Sequence, residues 1–173
     1  FKTYTKGINQ FTGMTQEEFA QNYLGLIVDA QEVAESNEDF VMPNDDYNWA
    51  DKGAVTPVKD QGQCGSCWAF SATGGLEGLS FVSNGELESF SESQLVDCSG
   101  SYGNQACNGG LMDNAFKFVK DKGIVHESDY PYKAVKQTCK IATGPFKISG
   151  FTDIKNCNDL ASALTGRPIS IAV

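Results

Sequence analysis

Apolar residues recur at helical spacing in several separate stretches of the chain. Near the N-terminus, Thr15-Gln16-Glu17-Glu18 has the pattern of a capping box, in which the Thr15 and Glu18 side chains satisfy each other's backbone N–H groups. Apolar residues follow at helical spacing, namely Phe19, Tyr23 and Leu24. The pattern predicts a short helical arm within residues 1–36. The polar, acidic stretch 37–46, with one proline, is typical of an exposed linker that a protease can cut.

A longer helix is predicted to begin near Cys67. Its apolar stripe consists of Trp68, Ala72, Leu76 and Leu79. Three glycines, at positions 74, 75 and 78, lower the intrinsic helix propensity of this segment. We therefore expect tight packing, rather than propensity, to hold the helix together.

Three shorter helices and two strands are expected after it. Ser91-Glu92-Ser93-Gln94 is a second capping-box pattern, opening a helix that runs through Val96. Another helix carries an apolar face ending at the glycine stop Gly123, and this face is formed by Leu111, Met112, Ala115, Phe116 and Val119. Beyond Pro145, residues 146–151 alternate as in a strand, residues 160–164 are expected to form a short helix, and residues 169–173 a strand.

Composition and charge narrow the function only modestly. The hydrophobic fraction is 40% and the charged fraction 20%, as in ordinary globular proteins. The net charge of −9 argues against a nucleic acid or an anionic membrane as partner. The apolar run at residues 23–28 is too short to span a bilayer.

The run QGQCGSCWAFS at residues 61–71 carries the candidate chemistry. Cys67 lies at a predicted helix start, where the positive end of the helix dipole favours a thiolate, and the small neighbours Gly65 and Ser66 leave the sulfur open to approach. The same CxxC spacing, Cys64 to Cys67, also occurs in redox disulfide sites and in half of a zinc site. Zinc is disfavoured because no second CxxC or paired histidines follow. We expect neither a metal nor a cofactor.

Several segments of the chain match those of one known family, in the same order. They are residues 53–71, which include the Cys64 to Trp68 signature, then Leu95–Cys98, Cys107–Met112 and Tyr130–Tyr132. On these segments the chain resembles the papain family of cysteine proteases, most closely the cathepsin L type. Gly7–Phe11 and Met14–Phe19 resemble the C-terminal half of the family's inhibitory propeptide.

The resemblance implies a papain-like α+β fold. A partial propeptide arm would occupy residues 1–36, an activation linker residues 37–46, and the peptidase domain residues 47–173. This domain would contain the helical left lobe and the start of the β-rich right lobe. The implied partners are a peptide or protein substrate and the chain's own propeptide, acting as an intramolecular inhibitor on a monomer.

The resemblance also assigns roles to individual residues. Cys67 would be the nucleophile that forms an acyl-enzyme. Its backbone N–H and the Gln61 side chain would form the oxyanion hole. Three glycines, Gly65, Gly109 and Gly110, would bind an extended peptide through the backbone, and Leu111 and Met112 would wall an apolar pocket. From periodicity alone, Leu111 and Met112 fit a plain helix core equally well.

The remaining cysteines have a structural role by the same resemblance. It implies the disulfides Cys64–Cys107 and Cys98–Cys139, which leave Cys67 free. Two structural disulfides indicate an oxidising compartment, so a lysosomal, vacuolar or secreted protein is expected. Cys157 is left over, either as a buried free thiol or as the partner of a cysteine beyond Val173.

The catalytic histidine is expected to lie outside this sequence. His126 is the only histidine, whereas the papain-type histidine and asparagine follow the nucleophile by roughly 130–150 residues, here at about position 197 or later. His126 is interpreted as a surface residue, and the chain as a fragment that is inactive alone. Two other classes stay open: a non-catalytic relative that binds peptides or proteases, and a redox protein with a Cys64–Cys67 pair.

Overall fold

A computed structural model describes residues 5–27 and 47–172 of the chain. Five α-helices lie in these ranges: α1 (Gln16–Tyr23), α2 (Cys67–Asn84), α3 (Glu92–Cys98), α4 (Met112–Lys122) and α5 (Cys157–Leu164). Two short 3₁₀ helices, Ser99–Tyr102 and Ala106–Asn108, connect α3 to α4. None of the described helices is long and apolar enough to cross a membrane.

The helix starts and stops follow the predicted signals with two exceptions, which are half of the capping box at α3 and the start of α5, three residues before the predicted position 160. Thr15 and Glu18 form both halves of the capping box of α1. Ser91 accepts a hydrogen bond from the backbone N–H of Gln94, but the reciprocal half of the predicted box at α3 is absent. The Gln94 side chain instead accepts from Val125 N–H and donates to the carbonyl of Ile141. The buried Gln94 amide therefore ties α3 to two distant loops.

The core is built where α2, α3 and α4 meet. Its largest fully buried apolar side chains are Trp68, Leu76, Phe90, Leu95, Phe118 and Ile124. The expected tight packing at the glycines of α2 holds at two of three positions, since a Cβ on Gly75 would meet Ser170 and one on Gly78 would meet Pro168. Gly74 has open space in front of it.

The predicted strands are not formed in the described residues. Residues 146–151 contribute only an isolated bridge between Phe146 and Ile124. The prediction of a strand at 169–173 is wrong for residues 169–172, and Val173 lies outside the described range. The physical reason is that this segment lies along α2: Ser170 Oγ donates to Ser71 O (2.6 Å) and Ser71 Oγ donates to Ile171 O (2.8 Å).

The predicted arm and linker are only partly described. The helix α1 and the extended residues after it, up to position 27, are described, whereas residues 28–46, including the whole predicted linker, lie outside the described ranges. Within the arm, Phe11, Phe19 and Tyr23 pack into an aromatic cluster with ring centroids 5.1–5.4 Å apart. The cluster braces α1 internally, because none of its residues is buried in the rest of the protein.

Candidate active site

Cys67 is the first residue of α2, as the sequence predicted. It is a free, partly exposed thiol. The N-terminal end of an α-helix carries partial positive charge, which favours a negative group at this position. The N-cap residue Ser66 makes no side-chain cap to the helix. Its hydroxyl lies instead 2.6 Å from the hydroxyl of Tyr132.

The side-chain amide of Gln61 is directed at the N-terminal segment. Gln61 Nε2 donates to the carbonyl oxygen of Tyr23 and to that of Cys64, each at 2.8 Å. Tyr23 is the last residue of α1. The predicted oxyanion donor thus holds a backbone carbonyl, which is the group that a substrate peptide would present to it.

The chain after Tyr23 continues across the site in extended form. Gly110 N–H donates to Gly25 O (2.8 Å), and Ile27 N–H donates to Gly110 O (3.2 Å). These bonds accompany a parallel bridge between Leu26 and Gly110. Gly25 is buried against the backbone of Gly65 so closely that a Cβ there would overlap the Gly65 carbonyl.

Residues 23–27 lie in a cleft between two walls, one formed by residues 61–67 and the other by residues 107–110, and these walls are bonded to each other. A disulfide joins Cys64 to Cys107, and Gly65 N–H donates to Cys107 O (3.0 Å). The second bridge, Cys98–Cys139, lies at the end of α3. The structure therefore contains the pairing that the resemblance implied, and no Cys64–Cys67 bond. The redox interpretation loses its basis.

Gly109 and Gly110, in the second wall of the cleft, leave no room for side chains. Gly109 has φ 119°, a left-handed value that disfavours other residues. A Cβ on Gly110 would lie 2.5 Å from Asn104 Oδ1 and 2.8 Å from the Trp68 ring. Asn104, which the sequence did not single out, also accepts from Leu111 N–H (2.9 Å) and so fixes the turn into α4.

Leu111 and Met112 are both half-buried. Leu111 is the extended N-cap of α4 and not a helical residue, whereas Met112 is its first residue and packs against the core. The role of these two side chains in an apolar substrate pocket stays a prediction.

A buried ionic cluster joins the segment before Gln61 to α2 and α3. Lys59 Nζ contacts Glu77 Oε1 (2.6 Å) and Glu92 Oε1 (2.7 Å), and both carboxylates are nearly inaccessible. Burial lowers the pKa of Lys59, but its hydrogen bonds with the two carboxylates and their charges outweigh this, so that its pKa is raised overall. Thr56 and Thr73 each donate a further hydrogen bond to the carboxylates, at 2.7 Å.

Glu127 is the most perturbed acid described. Burial, followed by the negative charge of Glu92, raises its pKa to about 7, against the lowering effects of a bond from Tyr132 N–H and of the Lys59 charge. Sequence analysis noted the Tyr130-Pro131-Tyr132 segment only as a family motif and missed these contacts, because they join residues far apart in the chain.

The other titratable candidates lie apart from these contacts. His126 stacks on Phe90 and lies 3.7 Å from a carboxylate oxygen of Glu88. Cys157 is an exposed free thiol at the start of α5, so of the two alternatives for this residue the buried thiol is wrong, and a partner beyond Val173 stays a prediction. No cluster of three or more potential metal-binding His, Cys, Asp or Glu side chains occurs within residues 5–27 and 47–172.

Comparison with known proteins identifies the class to which this fold and site belong. Residues 43–173 match the papain family of cysteine proteases. The chain belongs to this family.

Particular relatives are of the cathepsin L type. Cathepsin L 2 of Paramecium tetraurelia is 46% identical over 176 residues, which cover 99% of this chain and 56% of that protein. Digestive cysteine proteinase 1 of Homarus americanus is 45% identical, with 99% and 56% covered. The structure of digestive procathepsin L 3 from the Tenebrio molitor larval midgut aligns with a TM-score of 0.70 at 43% identity, over 86% of this chain and 49% of that one. The predicted papain-like fold is confirmed, and the chain spans about half the length of these relatives.

Proposed function

We propose that this chain is part of a cysteine-type endopeptidase precursor in which Cys67 attacks the peptide carbonyl. The observation that carries the proposal is the hydrogen bond from Gln61 Nε2 to the Tyr23 carbonyl, beside the free thiol at the start of α2. An amide donor that already binds a peptide carbonyl at this place is positioned to stabilise the charge that develops on a substrate carbonyl. The Cys67 backbone N–H supplies the second donor.

The substrate is an extended peptide bound through backbone hydrogen bonds. Gly110 offers both its N–H and its C=O to the segment at Gly25–Ile27, and a substrate strand would use the same two groups. Gly65 and Gly109 leave space for this strand, and Leu111 and Met112 border the pocket for an apolar side chain.

The N-terminal segment acts as the intramolecular inhibitor in this proposal. Residues 23–27 occupy the groups that substrate needs, so the precursor is inactive until the chain is cut within residues 37–46. Two disulfides suit an oxidising compartment, and we propose a lysosomal, vacuolar or secreted location for the protein, which works as a monomer.

The imidazole base comes from the part of the family fold that these residues do not cover. Within the chain, His126 contacts Glu88 and Phe90, and the relatives extend over nearly twice the matched length. General-base catalysis needs a base within hydrogen-bond reach of the attacking thiol. We therefore expect no turnover by the 173 residues alone.

Two measurements test the proposal. In the processed protein that includes the rest of the family domain, a fluorogenic peptide with an apolar second residue should be hydrolysed, and Cys67→Ser should abolish turnover. In the same processed protein, from which the N-terminal segment has been removed, a peptidyl electrophile should form its adduct at Cys67 in preference to the exposed Cys157, as mapped by mass spectrometry. Preferential labelling of Cys157, or peptide binding without turnover by the processed protein, would contradict the proposal; the latter outcome indicates a non-catalytic peptide-binding relative.

A further inference from the structure

The hydroxyl group of Tyr132 joins the two segments that carry the proposed oxyanion donors. It donates to the backbone carbonyl of Gln61 at 2.8 Å. A carbonyl only accepts, so the single proton of the Tyr132 hydroxyl is committed to Gln61. The second contact, 2.6 Å to Ser66 Oγ, must then use the Ser66 proton. One hydroxyl thus fixes Gln61 and the residue that precedes Cys67.

Tyr132 is itself held at both ends. Its ring meets the Phe70 ring edge-on, with centroids 4.8 Å apart, and Phe70 lies one turn into α2. Its backbone N–H donates to Glu127 Oε1 at 2.7 Å. The position of the hydroxyl therefore depends on where the carboxyl of Glu127 lies.

The carboxyl of Glu127 is buried with only one of its oxygens hydrogen-bonded. Its Oε1 accepts from Tyr132 N–H, whereas its Oε2 is buried and has no hydrogen-bond partner among the described residues. A buried carboxylate oxygen without a donor is costly, and protonation removes the charge. Burial and the negative charge of Glu92 accordingly raise the pKa of Glu127 to about 7.

The charges that act on Glu127 come from several elements. Glu92 lies on α3, and Lys59, from the segment before the cleft, bridges it to Glu77 of α2. The charges of Glu92, Asp60 and Glu127 also act on the Tyr132 hydroxyl, whose pKa is raised first of all by burial. The only cation among these groups is Lys59, and it is engaged with two carboxylates. A second negative charge on Glu127 would meet Glu92 without a counterion of its own.

We propose that Tyr132 is a positioning residue for the oxyanion hole, and that the buried, uncharged carboxyl of Glu127 keeps it in place. Deprotonation leaves a buried negative charge without a donor at Oε2, drives Glu127 out of its buried site, and moves the Tyr132 backbone that Glu127 holds. The hydroxyl then releases Gln61 and Ser66. The proposal rests on the proposed function only in taking Gln61 as an oxyanion donor; the contacts themselves do not depend on catalysis.

The first test is Tyr132→Phe in the 173-residue chain, with Tyr102→Phe as the matched control. Tyr102 also donates its hydroxyl to a single acceptor, Asp121, and its ring also packs edge-on against a phenylalanine. NMR would follow the side-chain amide of Gln61, assigned by its loss in Gln61→Ala. Loss of about 1 kcal/mol of hydrogen bonding corresponds to roughly fivefold faster hydrogen exchange at this amide. We expect that acceleration in Tyr132→Phe and none in Tyr102→Phe; equal exchange in the two variants overturns the proposal.

The second test isolates the proton and remains available if Tyr132→Phe does not fold. Glu127→Gln keeps the shape of the protonated acid and cannot be deprotonated. In the unsubstituted chain, the Gln61 amide signal should shift with a midpoint near the pKa of Glu127, about 7. Glu127→Gln should remove this titration, whereas Glu88→Gln, a control at the carboxylate beside His126, should retain it. A titration that persists in Glu127→Gln, or that is absent from the unsubstituted chain, overturns the proposal.

These readouts separate the two hypotheses. Neither uses turnover, so a lack of peptidase activity in the processed protein would refute the proposed function and leave the positioning result standing. In a catalytically active processed protein, the proposal further expects Tyr132→Phe to lower kcat more than it raises KM, because an oxyanion hole acts in the transition state. Equal kcat in the Tyr132→Phe and Tyr102→Phe proteins overturns it.

Discussion

A methyl group at Gly25 should release the N-terminal segment from the cleft. Gly25 is buried where the segment crosses Gly65, and a Cβ there would overlap the Gly65 carbonyl. Both groups in this clash belong to the backbone, and Gly65 is held by its bond to Cys107 and by the neighbouring disulfide. The cleft wall therefore cannot retreat, and in Gly25→Ala the segment must lift away.

The size of the effect follows from the contacts that would be lost. Three hydrogen bonds hold the segment at this crossing: Gly110 N–H to Gly25 O, Ile27 N–H to Gly110 O, and Gln61 Nε2 to Tyr23 O. At about 1 kcal/mol each, they stabilise the closed segment by roughly 3 kcal/mol, or about 100-fold in the ratio of closed to open forms. Cys67 is partly exposed even when the segment is closed. We therefore expect the accessibility of the Cys67 thiol to rise by about tenfold, which is less than the change in the ratio of closed to open forms.

The assay is the rate of iodoacetamide alkylation at Cys67 in the 173-residue chain, measured by mass spectrometry. The exposed thiol Cys157 supplies an internal reference within each molecule. Gly13→Ala is the matched control, because Gly13 lies in the same segment and a Cβ added to it would meet nothing within 4 Å. Gly25→Ala should accelerate alkylation of Cys67 relative to Cys157, and Gly13→Ala should not.

One result would refute this reasoning. If Cys67 is alkylated at the same rate relative to Cys157 in the Gly25→Ala and Gly13→Ala variants, the segment does not cover the thiol in solution. Its proposed inhibitory role then fails as well. An acceleration at both cysteines together would indicate general unfolding, which a thermal melt of the variant would reveal and which would equally contradict a local release.

Three further predictions concern the ionic cluster at Lys59, the buried carboxyl of Glu127 and the cleft wall at Gly110. Lys59→Met leaves two buried carboxylates without their cation and should lower the free energy of unfolding, measured by urea titration, by about 3–5 kcal/mol. The control Lys52→Met, at an exposed lysine over aromatic rings, should change it little. Similar losses in the two variants would contradict the burial of the Lys59 ion pairs. Because the folded state holds a proton on Glu127 up to about pH 7 and the unfolded state releases it near its ordinary pKa, stability should fall as pH rises from about 4.5 to 7. Glu127→Gln should flatten that fall, and an unchanged slope would count against the raised pKa. Gly110→Ala, crowded by Asn104 and the Trp68 ring, should lower the melting temperature, and an unchanged melt would show that the turn can relax.

Local signals predicted the helices well. The capping pattern at Thr15, the glycine at 123 and the apolar stripes act within a few residues, so a single sequence carries them. The same holds for Cys67 at a helix start. Periodicity misjudged residues 169–172, because an alternating apolar segment extends as a strand only if a partner strand lies beside it, and here α2 lies there instead.

The contacts that form the site could not be predicted from local sequence patterns. The Gln61 amide meets Tyr23, and the Tyr132 hydroxyl meets Ser66, across 38 and 66 positions of the chain. The raised pKa of Glu127 depends in the same way on burial and on Glu92. No spacing rule encodes such pairings, since they exist only after the helices have packed.

The pairing of Cys64 has a consequence for how the site withstands oxidation. Cys64 is 1% exposed and bound to Cys107, whereas Cys67, three positions later, is a partly exposed free thiol. A small oxidant in solution reaches Cys67 first, and a small thiol can restore it from a sulfenic acid or a mixed disulfide. The same reductant does not reach the buried Cys64 sulfur, which leaves the partly exposed Cys107 as the side of the bridge open to attack. The reactive thiol can therefore be oxidised and recovered by chemistry that does not involve the Cys64 sulfur.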